Sequence, residues 1–160
     1  MADMSRLMNA KDAVWAGAGS VYVTIDGNRY KLLQATKIEA TAKKVKKNIP
    51  ILGRTTMGHK SAGVEYSGTM SAYYNTSIFR KLMKQYQDTG KDTYLDMTVV
   101  NEDETASVGT QVVILKGVNF DEQTIAKLEA GGDPLVEDMP FTFESFEMPT
   151  EFTDLDGMQA

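Results

Sequence analysis

Four groups of residues have the types that chemistry uses. Carboxylates cluster as Glu102, Asp103 and Glu104 and again as Glu137 and Asp138. A catalytic acid–base pair needs burial or a like-charged neighbour in a cleft to drive its two proton affinities apart. These carboxylates fall in a turn and along a strand edge, where solvation keeps them ordinary. Asp92 and Asp103 could meet a calcium ion, yet no stretch has alternating Asp/Asn ligands closed by a Glu. The run Gly53-Arg54-Thr55-Thr56-Met57-Gly58-His59-Lys60-Ser61 approaches a phosphate-binding loop, but its Lys is one residue late and no strand–helix unit surrounds it. The single histidine, His59, could act as a base. One histidine and no cysteine exclude His-based triads, thiol catalysis, thiolate metal sites and disulfides within the chain. The run Lys43, Lys44, Lys46, Lys47 could grip phosphates. It reads equally as a solvated strand end or as a contact for an acidic neighbour. No enzyme signature and no cofactor motif emerge.

The elements that would have to position these groups follow from periodicity. Val21, Val23 and Ile25 alternate on one strand, and Asp26-Gly27-Asn28 makes a hairpin turn because Gly accepts positive φ. A return strand runs from about Arg29 to Ala42, long enough to require a bend or bulge. Lys43 to Gly63 breaks the pattern with Pro50, Gly53, Gly58 and Gly63. It reads as a loop of about twenty residues, a length that compact domains reserve for function. Val64 to Tyr74 alternates strictly, so it is a strand with one buried and one wet face. Ile78, Phe79, Leu82, Met83 and Tyr86 recur at helical spacing, with Arg80, Lys81, Lys84 and Gln85 facing away. This predicts a helix over about residues 76–89, capped by Asn75 or Thr76 and closed by Gly90. Strands follow at Tyr94–Asn101 and Thr110–Val118, the second apolar on both faces and therefore central. Asp121 to Ala130 fits a short helix or a strand. Leu135 to Met148 is a strand whose phase slips near Glu144, with Pro140 demanding an edge or bulge position.

The sum is a mainly β fold, an antiparallel sandwich or barrel with one helix. Its organisation is an N-terminal arm over residues 1–18, a β domain over 19–149 and an acidic tail over 150–160. A chain of 160 residues with 42% hydrophobic and 24% charged residues suits one packed domain. Apolar runs never exceed four residues, so no bilayer-spanning helix and no membrane anchor is expected. No signal peptide opens the chain, and we expect synthesis in the cytoplasm.

The net charge of −5 conceals an uneven distribution. Residues 1–101 hold 15 Lys/Arg and 8 Asp/Glu, whereas residues 102–160 hold 2 and 14. If folding preserves two poles, copies can stack head to tail, the heterologous contact that builds rings and filaments. If strands from both parts interleave, the poles mix.

The stretch Ile51 to Gly63 resembles the G-R-x-x-x-G-H-K-x-x-G segment of contractile phage tail-tube proteins, the subgroup found in PBSX-like prophages and R-type bacteriocin particles. The resemblance continues through Gly68-Thr69-Met70, Gly117-Val118-Asn119-Phe120-Asp121, Ile125-Ala126-Lys127-Leu128 and Met139 to Phe146. It covers about residues 15–155. It implies a tail-tube β-sandwich or barrel with a flanking helix, hexameric rings stacked into a rigid hollow tube, and no catalytic residues. It also favours a strand over a helix at Thr124–Ala130. The implied partners are further copies of the chain, a sheath protein, baseplate or tube-initiator proteins and a tape-measure protein, with DNA able to pass through the lumen. Such a conduit is driven through a target envelope when the sheath contracts, in a virion tail or a released tail-like particle. Candidate contacts between subunits and rings are Lys43, Lys44, Lys46, Lys47, Arg54, Met57, His59, Lys60 and Trp15. Two other readings stay open: a tube like that of type VI secretion systems, and a small β-barrel binding nucleic acid through Lys43–Lys47.

Overall fold

A computed structural model describes residues 7–159. All strand pairings are antiparallel. The chain divides into two compact units.

The first unit contains β1 (Gly19–Ile25), β2 (Asn28–Lys31), β5 (Leu95–Glu102), most of β6 (Thr110–Phe120) and β8 (Ser145–Thr150). Their order is β2-β1-β5-β6-β8. Val21, Val23 and Ile25 alternate into the core as the sequence predicts. They meet Leu32, Leu95, Met97, Leu115 and Val118, all buried. Asp26 and Gly27 both take positive φ, 49° and 80°, which is the twist a two-residue hairpin turn requires. The described part of the N-terminal arm is tied down rather than loose. Asp12 Oδ1 accepts from the Ser107 amide at 3.0 Å, and Asp103 Oδ2 accepts from the Trp15 amide at 2.9 Å. Hydrogen bonds to Ser107 hold the Asp12 carboxyl below its ordinary range, and those to Thr105 and Trp15 do so for Asp103. The acidic tail has no regular structure beyond β8, but Thr153 donates its amide to Val108 O at 2.8 Å.

The second unit contains β3 (Ala35–Ile49), β4 (Gly58–Tyr73), α1 (Ile78–Thr89), β7 (Val136–Thr142) and the last two residues of β6. The strands order as β3-β4-β7, and Asn119 and Phe120 pair with Thr142 and Phe141. Phe79 of α1 meets Phe120 at 5.0 Å between ring centres, Phe120 meets Phe141 at 5.8 Å, and Tyr66 meets Phe143 at 5.1 Å. These rings, with Met70, Ala72 and Met139, make the core. Gly90 closes α1 at φ 72°.

Several expectations need correction, among them Glu137 as a solvated carboxylate, since it is buried, and Asn75 or Thr76 as the cap of α1, since Ser77 holds that position. Lys43 to Gly63 is not a loop of about twenty residues: its two ends are strand, and only residues 50–57 form the turn. Alternation marks a strand with one buried face, and here both faces are exposed, so the pattern vanished while the strand did not. The return strand from Arg29 splits into β2 and β3 at residues 32–34, with an irregular register between Ala35 and Lys37. Asp121 to Ala130 is neither helix nor strand. The phase slip near Glu144 is a break between β7, which pairs with β4 and with Asn119 and Phe120 of β6, and β8, which pairs with Val112 to Lys116 of β6. Arg80 does not face away; its side chain turns inward to a buried carboxylate.

That carboxylate is Glu137, whose side chain is 2% exposed and lies 3.3 Å from Arg80 Nη2. Burial pushes its proton affinity up, against the pull of Arg80 and Lys127. Arg80 also stacks on the Tyr74 ring at 4.0 Å and donates to Thr76 O. The ion pair fixes the first turn of α1 to β7.

Candidate assembly surface

The β3–β4 hairpin is wider at its base than at its tip. β7 pairs with β4 only from Ser67 to Tyr73. From Gly58 to Tyr66, β4 has β3 as its partner and no third strand. At about 3.3 Å per residue this two-stranded arm is roughly 30 Å long. A two-stranded ribbon is marginal in water unless something packs on it.

The arm is chemically one-sided. Between Glu39 and Glu65 stand Lys43, Lys44, Lys46, Lys47, Arg54 and Lys60 with no acidic residue among them. Lys47 lies opposite Lys60 in the ladder, and Lys43 opposite Glu65. Like charges opposed across a ladder destabilise it, so the isolated arm works against itself near its tip. The register also shifts between Val45 and Lys46, where β4 holds one extra residue, Ala62.

The tip adds apolar surface. Ile51, Leu52 and Met57 are exposed, Leu52 completely. Gly53 takes φ 80°, and the Arg54 amide closes the turn on Ile51 O at 3.2 Å. Arg54 Nη2 reaches Thr56 Oγ1 at 3.4 Å. Val45, Ile49 and Val64 leave further apolar surface along the strands.

Of the residues singled out from sequence, Lys43, Lys44, Lys46, Lys47, Arg54, Met57, His59 and Lys60 all lie on this exposed hairpin. Trp15 is 76% exposed and belongs to the other unit, so it is not part of the group. Sequence reasoning leaves Ile51 and Leu52 out of the contact candidates. Their signal was available: two large aliphatics between Pro50 and Gly53 have no core to enter from a tight turn.

A second exposed feature follows β6. Residues 122–134 form neither helix nor strand, bend at 131–133, and have no backbone-to-backbone hydrogen bond among the described residues. The segment is held by its edges: the Asp121 amide to Pro140 O at 2.9 Å, Tyr74 Oη to Ile125 O at 3.4 Å, and Lys127 Nζ to Val136 O at 2.7 Å. Ile125 is 61% exposed and Leu128 98%. Gln123 is buried with its Oε1 unpartnered among the described residues.

Among the described residues no cluster of three metal-ligating side chains occurs, and no helix is long and apolar enough to cross a membrane.

Comparison with known proteins points the same way. A family model described as phage tail tube protein matches residues 6–150. The Bacillus subtilis (strain 168) protein named phage-like element PBSX protein XkdM is 34% identical, covering 92% of this chain and 97% of its own. Two cryo-EM structures share the fold at much lower identity. A chain of the anti-feeding prophage baseplate, 6-fold symmetrised, has a TM-score of 0.67 at 11% identity, covering 88% of this chain and 97% of its own. A chain of the extracellular contractile injection system PVC sheath–tube complex in its extended state has a TM-score of 0.67 at 9% identity, covering 91% and 94%. With most of its length matched by the family model, the chain belongs to the phage tail tube protein family.

Proposed function

We propose that this chain is the repeating subunit of the inner tube of a contractile tail, in a phage or a phage-tail-like particle. Copies close into hexameric rings that stack head to tail within a sheath. The role is structural and involves no catalytic step. Synthesis takes place in the host bacterial cytoplasm. The partners are the chain itself, the sheath protein, a tube initiator at the baseplate and a tape-measure protein, and the lumen can pass DNA.

The observation that carries this reading is the β3–β4 arm. It is long, only two strands wide, apolar at its tip and strongly basic, with Glu65 its one acidic residue. A solitary soluble protein blunts such a feature, whereas a subunit satisfies it with its neighbours. The arm's reach suits a contact with the next ring.

Negative-stain electron microscopy of the concentrated protein tests the proposal, with stacked rings of sixfold symmetry as the expected result. Replacing residues 50–57 by Asn-Gly joins Ile49 to Gly58 through a two-residue turn that the ladder accepts. This variant is expected to fold with an unchanged far-UV spectrum and to form no stacked tubes. Full-length tubes from it would remove the arm from the stacking contact. A wild-type chain that stays monomeric at every concentration, and binds oligonucleotides with a steep salt dependence, would favour the nucleic-acid reading.

A further inference from the structure

The arm's tip and the unladdered segment lie at opposite ends of β4. β4 leaves the tip at Gly58 and ends at Tyr73. The next residue, Tyr74, holds the segment by donating its hydroxyl to Ile125 O and its amide to Leu135 O. At about 3.3 Å per residue the tip is roughly 35 Å from the level of Asp121, whose amide bonds Pro140 O opposite Thr69, and roughly 50 Å from the Ile125 contact.

They are also complementary. The segment carries Asp121, Glu122, Glu129 and Asp133 against Lys127 alone, and Lys127 is engaged with Val136 O. The arm carries six basic residues against Glu65 alone, at its base. The segment shows Ile125 and Leu128 to solvent; the tip shows Ile51, Leu52 and Met57. Residues 124–130 alternate as a strand would, yet their N–H and C=O groups find no backbone partner among the described residues. Near its tip the arm sets Lys47 against Lys60 with no anion beside them, and the mainly acidic segment has no ladder partner among the described residues.

We propose that segment 121–133 of one copy is the seat for the basic β3–β4 tip of the next copy. Such a contact joins unlike surfaces at opposite ends of one subunit, so it repeats without closing on itself. The apolar tip residues cover Ile125 and Leu128, while Lys46, Lys47 and Lys60 meet Glu129 and Asp133. The inference rests on the tube reading and specifies where its stacking contact lies.

The chain has no cysteine, which makes cross-linking unambiguous. Leu52→Cys and Leu128→Cys in one chain, treated with a short bismaleimide after assembly, should yield a ladder of covalent oligomers. Mixed single-cysteine variants should stop at dimers. Tubes that form from the double variant without any ladder would overturn the seat and leave the tube reading intact. Failure of the unmodified chain to form tubes would overturn both. Charge reversal gives an independent measurement should the cysteine variants fold poorly. Lys46→Glu/Lys47→Glu and Glu129→Lys/Asp133→Lys should each lose sedimentable tubes, and the combined variant should regain them. A combined variant that stays soluble while the wild type assembles would sink the proposal.

Discussion

At the scale of single residues, two positions decide how the second unit holds together. Gly68 sits where β4 passes between β3 and β7. A Cβ there would stand 2.5 Å from Phe141 Cζ and 2.6 Å from Glu39 O. Backbone cannot retreat, so Gly68→Ala is expected to cost about 1–3 kcal/mol, read as a lowered thermal midpoint. The Arg80–Glu137 pair is the other. Removing the cation leaves a buried carboxylate unpaired, and Arg80→Ala should cost about 3–5 kcal/mol. Glu137→Gln should cost less, because burial already disfavours the charged form. The pH dependence separates the two. The folded chain holds the Glu137 proton more tightly than the unfolded chain, whose ordinary value is 4.5. Its stabilising contribution is therefore complete below 4.5 and lost as pH rises through the raised folded value. Asp12 and Asp103 act in the opposite sense: their contribution is present above 3.8 and lost as pH falls through their lowered values. In a pH series of melting curves, Glu137→Gln should remove the decline above 4.5 and Arg80→Ala should extend it upward.

At the scale of elements, legibility tracked burial. Val21, Val23 and Ile25 announce β1 because one face is buried, and Ile78, Phe79, Leu82 and Met83 announce α1 for the same reason. The Asp26-Gly27 turn was visible in two letters. Gly27→Ala forces a side chain into φ 80° and should cost about 1 kcal/mol in denaturant unfolding. The arm was mistaken for a loop because neither face is buried in one chain. Arg80 was placed outside because helical spacing cannot reveal a carboxylate arriving from β7, 57 positions away in sequence. Segment 122–134 resisted assignment for a deeper reason. Its alternation is that of a strand, and nothing in one chain supplies the ladder. The candidate contact residues were nearly all legible as a basic, glycine-punctuated stretch, while the apolar tip and its acidic counterpart required the fold to place them at the two ends of β4.

At the scale of the whole molecule, the charge split along the chain does not become a split between the two units. Among the described residues the first unit holds 4 Lys/Arg and 10 Asp/Glu, and the second 12 and 11. Interleaved strands mixed the halves. The near-neutral second unit nevertheless contains both the basic arm and the acidic segment. Stacking that depends on these should weaken with salt, since screening shortens from about 10 Å at 0.1 M to about 3 Å at 1 M. Sedimentation is expected to show the critical concentration for tube formation rising over that range. An unchanged value would assign the contact to Leu52 and its apolar neighbours instead.

The narrowness of the arm has a kinetic consequence. A ribbon of two strands with opposed lysines loses conformational freedom when it docks. Two free subunits that meet must both be ordered before either gains a full set of contacts. A subunit arriving at a finished ring meets surfaces that its predecessors have already ordered. If the arm docks as proposed, the first step should be slow and the later ones fast, so that growth from a template outruns spontaneous nucleation. A cell filling with this chain would then hold it as a soluble reserve until an initiating ring appears. Tube length would be set by how many such starts are supplied and by whatever stops extension.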